Sequence, residues 1–269
     1  MNLTDVSQTA IYTLICRATQ AEQKKPGIDD PMAILCLDKL ISLASAEDKN
    51  RLLKWKKMMA GMGASDAKTG VWRAREIDRI VNDYISKHPS CTVINLACGF
   101  DTRFWRIENS KCKYMELDFP EVIALKKEIL GADLSYEQIG CSVLDTTWID
   151  KVTSNGNNNF LLIAEGLFMY LPKPDAARLL QTIAQRFYRS QFVLDMVNEK
   201  VTRGLLGKMI DWQYKFFLGL NAPWEFGLKD PRDMETYGSG LKVIDVLNPG
   251  GAYGSIIFVI TASINGNAQ

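Results

Sequence analysis

From Cys91 onward the chain alternates short β-branched runs with helical stretches, an order that admits little besides a parallel sheet built from βαβ units. The runs lie at 92–96, 113–117, 136–143, 160–164, 191–197, 241–247 and 255–262, so seven strands of one doubly wound α/β sheet are expected. Between the fourth and fifth, Ala176, Leu180, Ile183, Ala184 and Phe187 mark one face of a helix entered through Pro172 and Pro174. Ahead of the last run, Pro249, Gly250 and Gly251 form a turn. A connection that short favours antiparallel pairing, so the sheet is mostly parallel.

The first ninety residues read as helices. Ala10, Ile11, Leu14, Ile15 and Ala18 recur at three-and-four spacing behind Thr4 and Asp5 as caps. A second apolar series covers 32–44 after Asp30 and Pro31, and a third helix spans 47–59. In the fourth, Ile77, Ile80, Val81, Tyr84 and Ile85 share a face, Pro89 closes the segment and Arg73 is placed in the first turn. The expected organisation is a helical cap over 1–90 and a Rossmann-like core over 91–269, with a helical lid inserted around 201–225. In that insertion Leu205, Leu206, Met209, Ile210, Trp212, Tyr214, Phe216, Phe217 and Leu220 leave little polar circumference, which predicts a segment that is buried or covers a pocket.

Lys and Arg number 32 against 31 Asp and Glu, a net charge of +1 that gives no attraction to phosphate backbones or anionic lipid. No apolar stretch approaches the ~20 residues of a membrane helix. The N-terminus lacks the basic-then-apolar order of a secretory signal, so the reading is cytoplasmic. Six cysteines include no C-x-x-C pair, and His88 is the single histidine. Reduced thiols and no metal site are expected.

The chemistry concentrates after the first strand, where residues 93–103 run VINLACGFDTR and turn sharply through Ala97 and Gly99. Small residues at the carboxyl edge of an open α/β sheet let a ligand approach the backbone. Asp118 ends the second strand 19 residues past Gly99, the spacing of an acid that accepts from the two hydroxyls of a ribose. Bulky Phe100 and charged Asp101 and Arg103 stand where a dinucleotide fingerprint wants glycine, which disfavours pyrophosphate.

The runs VINLACGFDTRFWR at 93–106, YMELDFP at 114–120 and LLIAEGLFMYL at 161–171 together resemble the leucine carboxyl methyltransferase family. The resemblance implies S-adenosylmethionine as cofactor. It also implies one of two activities: methylation of a phosphatase's C-terminal leucine carboxylate, or bacterial O-methylation in polyketide biosynthesis. By position it makes Arg73, with Arg75 as competitor, the partner of the methionyl carboxylate, for which a guanidinium fork is suited. It sets Ala97 and Gly99 beside the methionyl chain, Asp118 at the ribose, Glu165 as the acid after the fourth strand, and Arg17 near the carboxylate. Ser142 and Val143 fall at the adenine edge, where the family often has Asp before an apolar residue. Ala97 stands where many relatives have glycine.

Outside the resemblance, Arg73 reads as an ion pair with Glu76 or Asp78, and Asp101 and Arg103 read equally as helix caps. Glu165, in an apolar strand end, needs a partner wherever it is buried. With His88 before the first strand, at the opposite end of the sheet, a carboxylate is the expected methyl acceptor, and a compact chain with few insertions for docking a partner favours a small molecule. Glu165, Tyr170 and Asp101 are the groups available for a hydroxyl acceptor. The alternatives are a nicotinamide-dependent oxidoreductase and a binding protein that holds the cofactor without turnover.

Overall fold

The computed structural model describes residues 5–61, 64–154, 159–213, 215–216, 219, 222–248 and 257–264. The strands are β1 (Thr92–Leu96), β2 (Lys113–Asp118), β3 (Glu137–Gly140), β4 (Phe160–Ala164), β5 (Ser190–Val197), β6 (Leu241–Leu247) and β7 (Ile257–Ile264). They form one sheet in the order β3-β2-β1-β4-β5-β7-β6. β1 to β5 pair in parallel, and β7 runs antiparallel to both β5 and β6, as the short connection predicts. Every residue of β1 and β4 is buried, because both faces of the sheet are covered.

On one face α4 (Ala64–Lys87) sets Ile77, Val81 and Ile85 against Val93, Leu161, Ile163 and Val193. On the other, α6 (Thr147–Thr153) and α7 (Lys173–Arg186) bring Trp148, Leu180 and Ile183 to Ile94, Leu162 and Leu194. A separate cluster joins α1 (Asp5–Ala21), α2 (Pro31–Leu43) and α3 (Ala46–Ala60) around Leu14, Ile15, Leu37 and Trp55. It continues into Phe100, from the turn after β1, and into Leu125 and Ile129 of α5 (Pro120–Leu130). The three N-terminal helices therefore rest on the ligand-side turn.

Three expectations change. α4 starts at Ala64, so Arg73 sits well inside the helix and not in its first turn; residues 64–70 are polar and lack the apolar period that marks the rest. β3 ends at Gly140 and not at 143, because Ser142 starts a turn in which its Oγ accepts from Leu144 N at 3.2 Å. The third concerns the aromatic insertion. In α8 (Gly204–Gln213) and just beyond it, Leu205, Met209, Trp212 and Phe216 are 89, 51, 57 and 68% exposed, so these four are not buried. The helix meets the preceding turn at Gly207, where an added Cβ would lie 3.0 Å from Val201 O. Thr4, Pro249 to Gly251, and the side chains of Leu206, Ile210, Tyr214, Phe217 and Leu220 lie outside the described residues. No described helix is long and apolar enough to cross a membrane.

Candidate active site

The turn after β1 is tightly wound: Ala97 and Gly99 both have φ of 50°. At Gly99 a side chain is excluded twice, by that conformation and by Ala10 of α1, whose Cβ would lie 2.8 Å from an added Cβ. The carboxylate of Asp118 closes the turn from β2. Its Oδ2 accepts from Gly99 N at 2.7 Å and its Oδ1 from Phe119 N at 2.7 Å. Each oxygen keeps a second lone pair for a ribose hydroxyl, so the geometry fits the sugar of S-adenosylmethionine. Burial pushes the Asp118 carboxyl up, opposed by these two amides. Ser142 and Val143 follow one step along the sheet edge, since Cys141 N donates to Asp118 O at 2.9 Å.

Ala97 occupies the left-handed region without the freedom of glycine, a conformation that costs about 1 kcal/mol. Ala97→Gly is expected to raise the stability of the fold by about that amount in thermal melts and to leave cofactor affinity intact. A lower melting temperature would show that packing of the Ala97 methyl outweighs the strain.

At the other end of the turn is a buried lattice of charges. Arg73 Nε donates to Glu165 Oε1 and its Nη1 to Asp195 Oδ2, each at 2.9 Å. Arg103, fully buried, donates through Nη2 to Glu165 Oε2 (2.6 Å), through Nη1 to Asp101 Oδ2 (2.6 Å) and through Nε to Asp78 Oδ1 (2.7 Å). Asp78 thus pairs with Arg103 and Arg106 and not with Arg73, and Arg75 reaches away to the Gly27 carbonyl. Asp101 accepts from Arg103 N at 3.0 Å, as a cap does, and its other oxygen takes the Arg103 guanidinium, a pairing not expected from the sequence. Burial would raise the Glu165 carboxyl, but Arg73 and Arg103 hold it below the usual carboxylate range.

The N-terminal helices are tied into the same lattice. Arg17 Nη2 donates to Phe100 O at 2.7 Å. Asp30, the N-cap of α2, accepts from Ala33 N, Thr102 Oγ1 and Arg106 Nη1. Tyr170 lies after β4 beside Met169, Val197, Val201 and Trp224. Burial pushes its phenol up, countered by hydrogen bonds with Trp224 and Thr9 and by Arg73. His88 stacks on Tyr84 at a centroid distance of 4.5 Å, at the far end of the sheet.

The structure thus gathers Arg17, Arg73, Gly99, Asp118 and Glu165 along one sheet edge, with Ala97, Ser142, Val143 and Tyr170 flanking them. Sequence reading missed Asp195, Asp78, Arg106 and Asp30. It also missed the buried Lys126–Glu116 pair at 2.8 Å, whose ammonium also donates to Asp101 O at 2.6 Å. Asp195 carried the same signal that exposed Glu165, a lone acid within an apolar strand.

The sequence profile described as leucine carboxyl methyltransferase matches residues 10–184, close to two thirds of the 269 residues. The chain belongs to that family. It is an S-adenosylmethionine-dependent methyltransferase, and the oxidoreductase alternative is set aside. The tetracenomycin polyketide synthesis O-methyltransferase of Streptomyces glaucescens is 26% identical over 90% of this chain and 82% of its own length. Leucine carboxyl methyltransferase 1 of Caenorhabditis elegans is 28% identical over 46% of this chain and 48% of its own. Among solved structures, an O-methyltransferase family protein from Burkholderia thailandensis shares the fold with a TM-score of 0.51 at 13% identity, over 79% of this chain. The family methyltransferase described here spans 63% of that structure's length.

Proposed function

We propose that the protein transfers a methyl group from S-adenosylmethionine to a carboxylate oxygen of a small molecule. In this reading Arg73 receives the cofactor's carboxylate and Arg17 braces the turn at Phe100. Ala97 and Gly99 flank the methionyl chain, Asp118 takes the ribose, and Ser142 and Val143 border the adenine. Bound there, the cofactor supplies an electrophilic methyl group with its own leaving group. What remains for the chain is alignment, which accounts for up to about 7–11 kcal/mol of a barrier.

The observation that carries the carboxylate reading is the state of Glu165. Both its oxygens are taken by guanidinium groups and its carboxyl is held below the usual range, so it is a poor proton acceptor and a good fixed anion. Tyr170, with its phenol pushed up, is a hydrogen-bond donor at neutral pH, and His88 is remote. An acceptor that is already ionised needs no base, and a carboxylate with a reference pKa near 4 meets that condition. A small molecule is favoured over a protein terminus because the polyketide-synthesis relative aligns over 90% of this chain, against 46% for leucine carboxyl methyltransferase 1. The helices of 1–90 and the stretch 201–225 are assigned to enclosing that acceptor. Six unbridged cysteines support a reducing, cytoplasmic setting.

Incubation with methyl-labelled cofactor and a panel of aromatic and aliphatic carboxylic acids is expected to give a base-labile methyl ester. A base-stable methyl ether would replace the carboxylate with a hydroxyl. Binding of S-adenosylhomocysteine without transfer to any acid of the panel would place the acceptor outside the carboxylic acids.

A further inference from the structure

Asp195 is the one acid in β5, flanked by Leu194, Met196 and Val197, and like them it has no exposure. In such a place an apolar side chain of similar volume serves a fold as well or better, so packing does not account for a carboxylate. Its two oxygens reach two different elements. Oδ1 accepts from Gly166 N at 2.6 Å, and Oδ2 accepts from Arg73 Nη1 at 2.9 Å. Gly166 adopts φ of 69° in the turn that presents Glu165, and the Glu165 carboxylate in turn takes Arg73 Nε. Arg73 is thereby held on two of its three nitrogens. The third, Nη2, lies 3.8 Å from where a Cβ on Gly166 would stand.

From this arrangement we infer that Asp195 is a positioning residue of the cofactor site: it locks the Arg73 guanidinium and the Gly166 turn together before the cofactor arrives. The consequence is that the guanidinium is already ordered when the cofactor's carboxylate arrives, and the entropy of fixing a long side chain is not lost at binding. The inference rests on the reading of Arg73 as the residue that takes the cofactor's carboxylate. Asp195 acts through Arg73 and not on the ligand, which separates it from Asp118.

The test is calorimetric titration with S-adenosylhomocysteine of the full chain, Asp195→Asn, Arg73→Met and the double variant, each checked by circular dichroism. Asp195→Asn is expected to weaken binding about tenfold, the loss of one charge-assisted hydrogen bond's worth of order. In the Arg73→Met background the same change is expected to add nothing, since the group it orients is gone. Independent, multiplying losses would overturn the inference, as would an Asp195→Asn affinity within about twofold of the parent. Wild-type binding by Arg73→Met would instead sink the reading of Arg73, a separate outcome. Nitrogen NMR of the unmodified, ligand-free protein gives a measurement that does not depend on how the variants fold. The Arg73 guanidinium, assigned by through-bond correlation from its own backbone amide, is expected to show separate Nη resonances. A single rotationally averaged signal would overturn the inference.

Discussion

Arg103→Met is expected to cost the fold about 3–5 kcal/mol, read from urea unfolding at pH 7, because it leaves buried carboxylates without the cation that compensates them. The Arg103 side chain is completely buried and donates to Asp78, Asp101 and Glu165 from three separate nitrogens. Arg106 still serves Asp78 and Asp101, and Arg73 still serves Glu165, which places the loss toward the lower part of that range. Arg103→Lys keeps the charge but loses the fork, and an intermediate loss is expected. The pH dependence has a definite sign. Asp101 and Glu165 are held below the ordinary carboxylate range, chiefly by Arg103 with Arg106 for the first and by Arg73 with Arg103 for the second, against a burial that would raise them. Their stabilising contribution is complete above the ordinary range and disappears as pH falls through the depressed values. Without Arg103 those values rise, so acid unfolding is expected to begin at higher pH. A loss below about 1 kcal/mol, of the size seen for exposed pairs, would show that the lattice is not the support it looks to be.

The second large effect falls on the cofactor. Asp118→Ala is expected to weaken S-adenosylhomocysteine about a hundredfold by calorimetry, with a much smaller change in melting temperature. In the proposed reading two charge-assisted bonds to the ribose are lost, and with them go the acceptors that fix Gly99 N and Phe119 N. Asp118→Asn keeps one acceptor oxygen and is expected to fall between the two. Since burial raises the Asp118 carboxyl, affinity for the cofactor is expected to decline as acidification protonates it, at a pH above that of an ordinary aspartate. A loss under about threefold for the alanine variant would remove Asp118 from the ribose.

The sheet was legible because its strands are local signals. The runs at 92–96, 160–164 and 241–247 are β-branched, bounded by turn residues and the same length in the structure as in the sequence. β3 was not, since the apolar run around it continues past Gly140 into a turn that Ser142 makes with its own side chain. The tight turn after β1 and the acid that closes it were legible for the same local reason, being small residues at a strand end and a carboxylate at fixed distance. Asp30, Asp78 and Arg106 come from separate elements, and each resembles a surface charge until the fold puts them within hydrogen-bond reach of one another, whereas Asp195 stood out only as an acid in an apolar strand with no sign of its partner. Stripes such as Leu205, Met209 and Trp212 carry the period of a buried helix, and period alone does not say on which side the rest of the molecule lies.

The strand order reverses the order of manufacture along one side of the molecule. β6 joins the sheet through β7, although β7 is translated after it. While a ribosome is still adding the stretch that separates them, β6 has no neighbour to dock on, and the row of amides and carbonyls along β5 stays open to any other extended chain. Between the synthesis of β6 and the arrival of β7 the growing chain is therefore open to edge-to-edge sticking, and β7 both seals that row and brings its predecessor home.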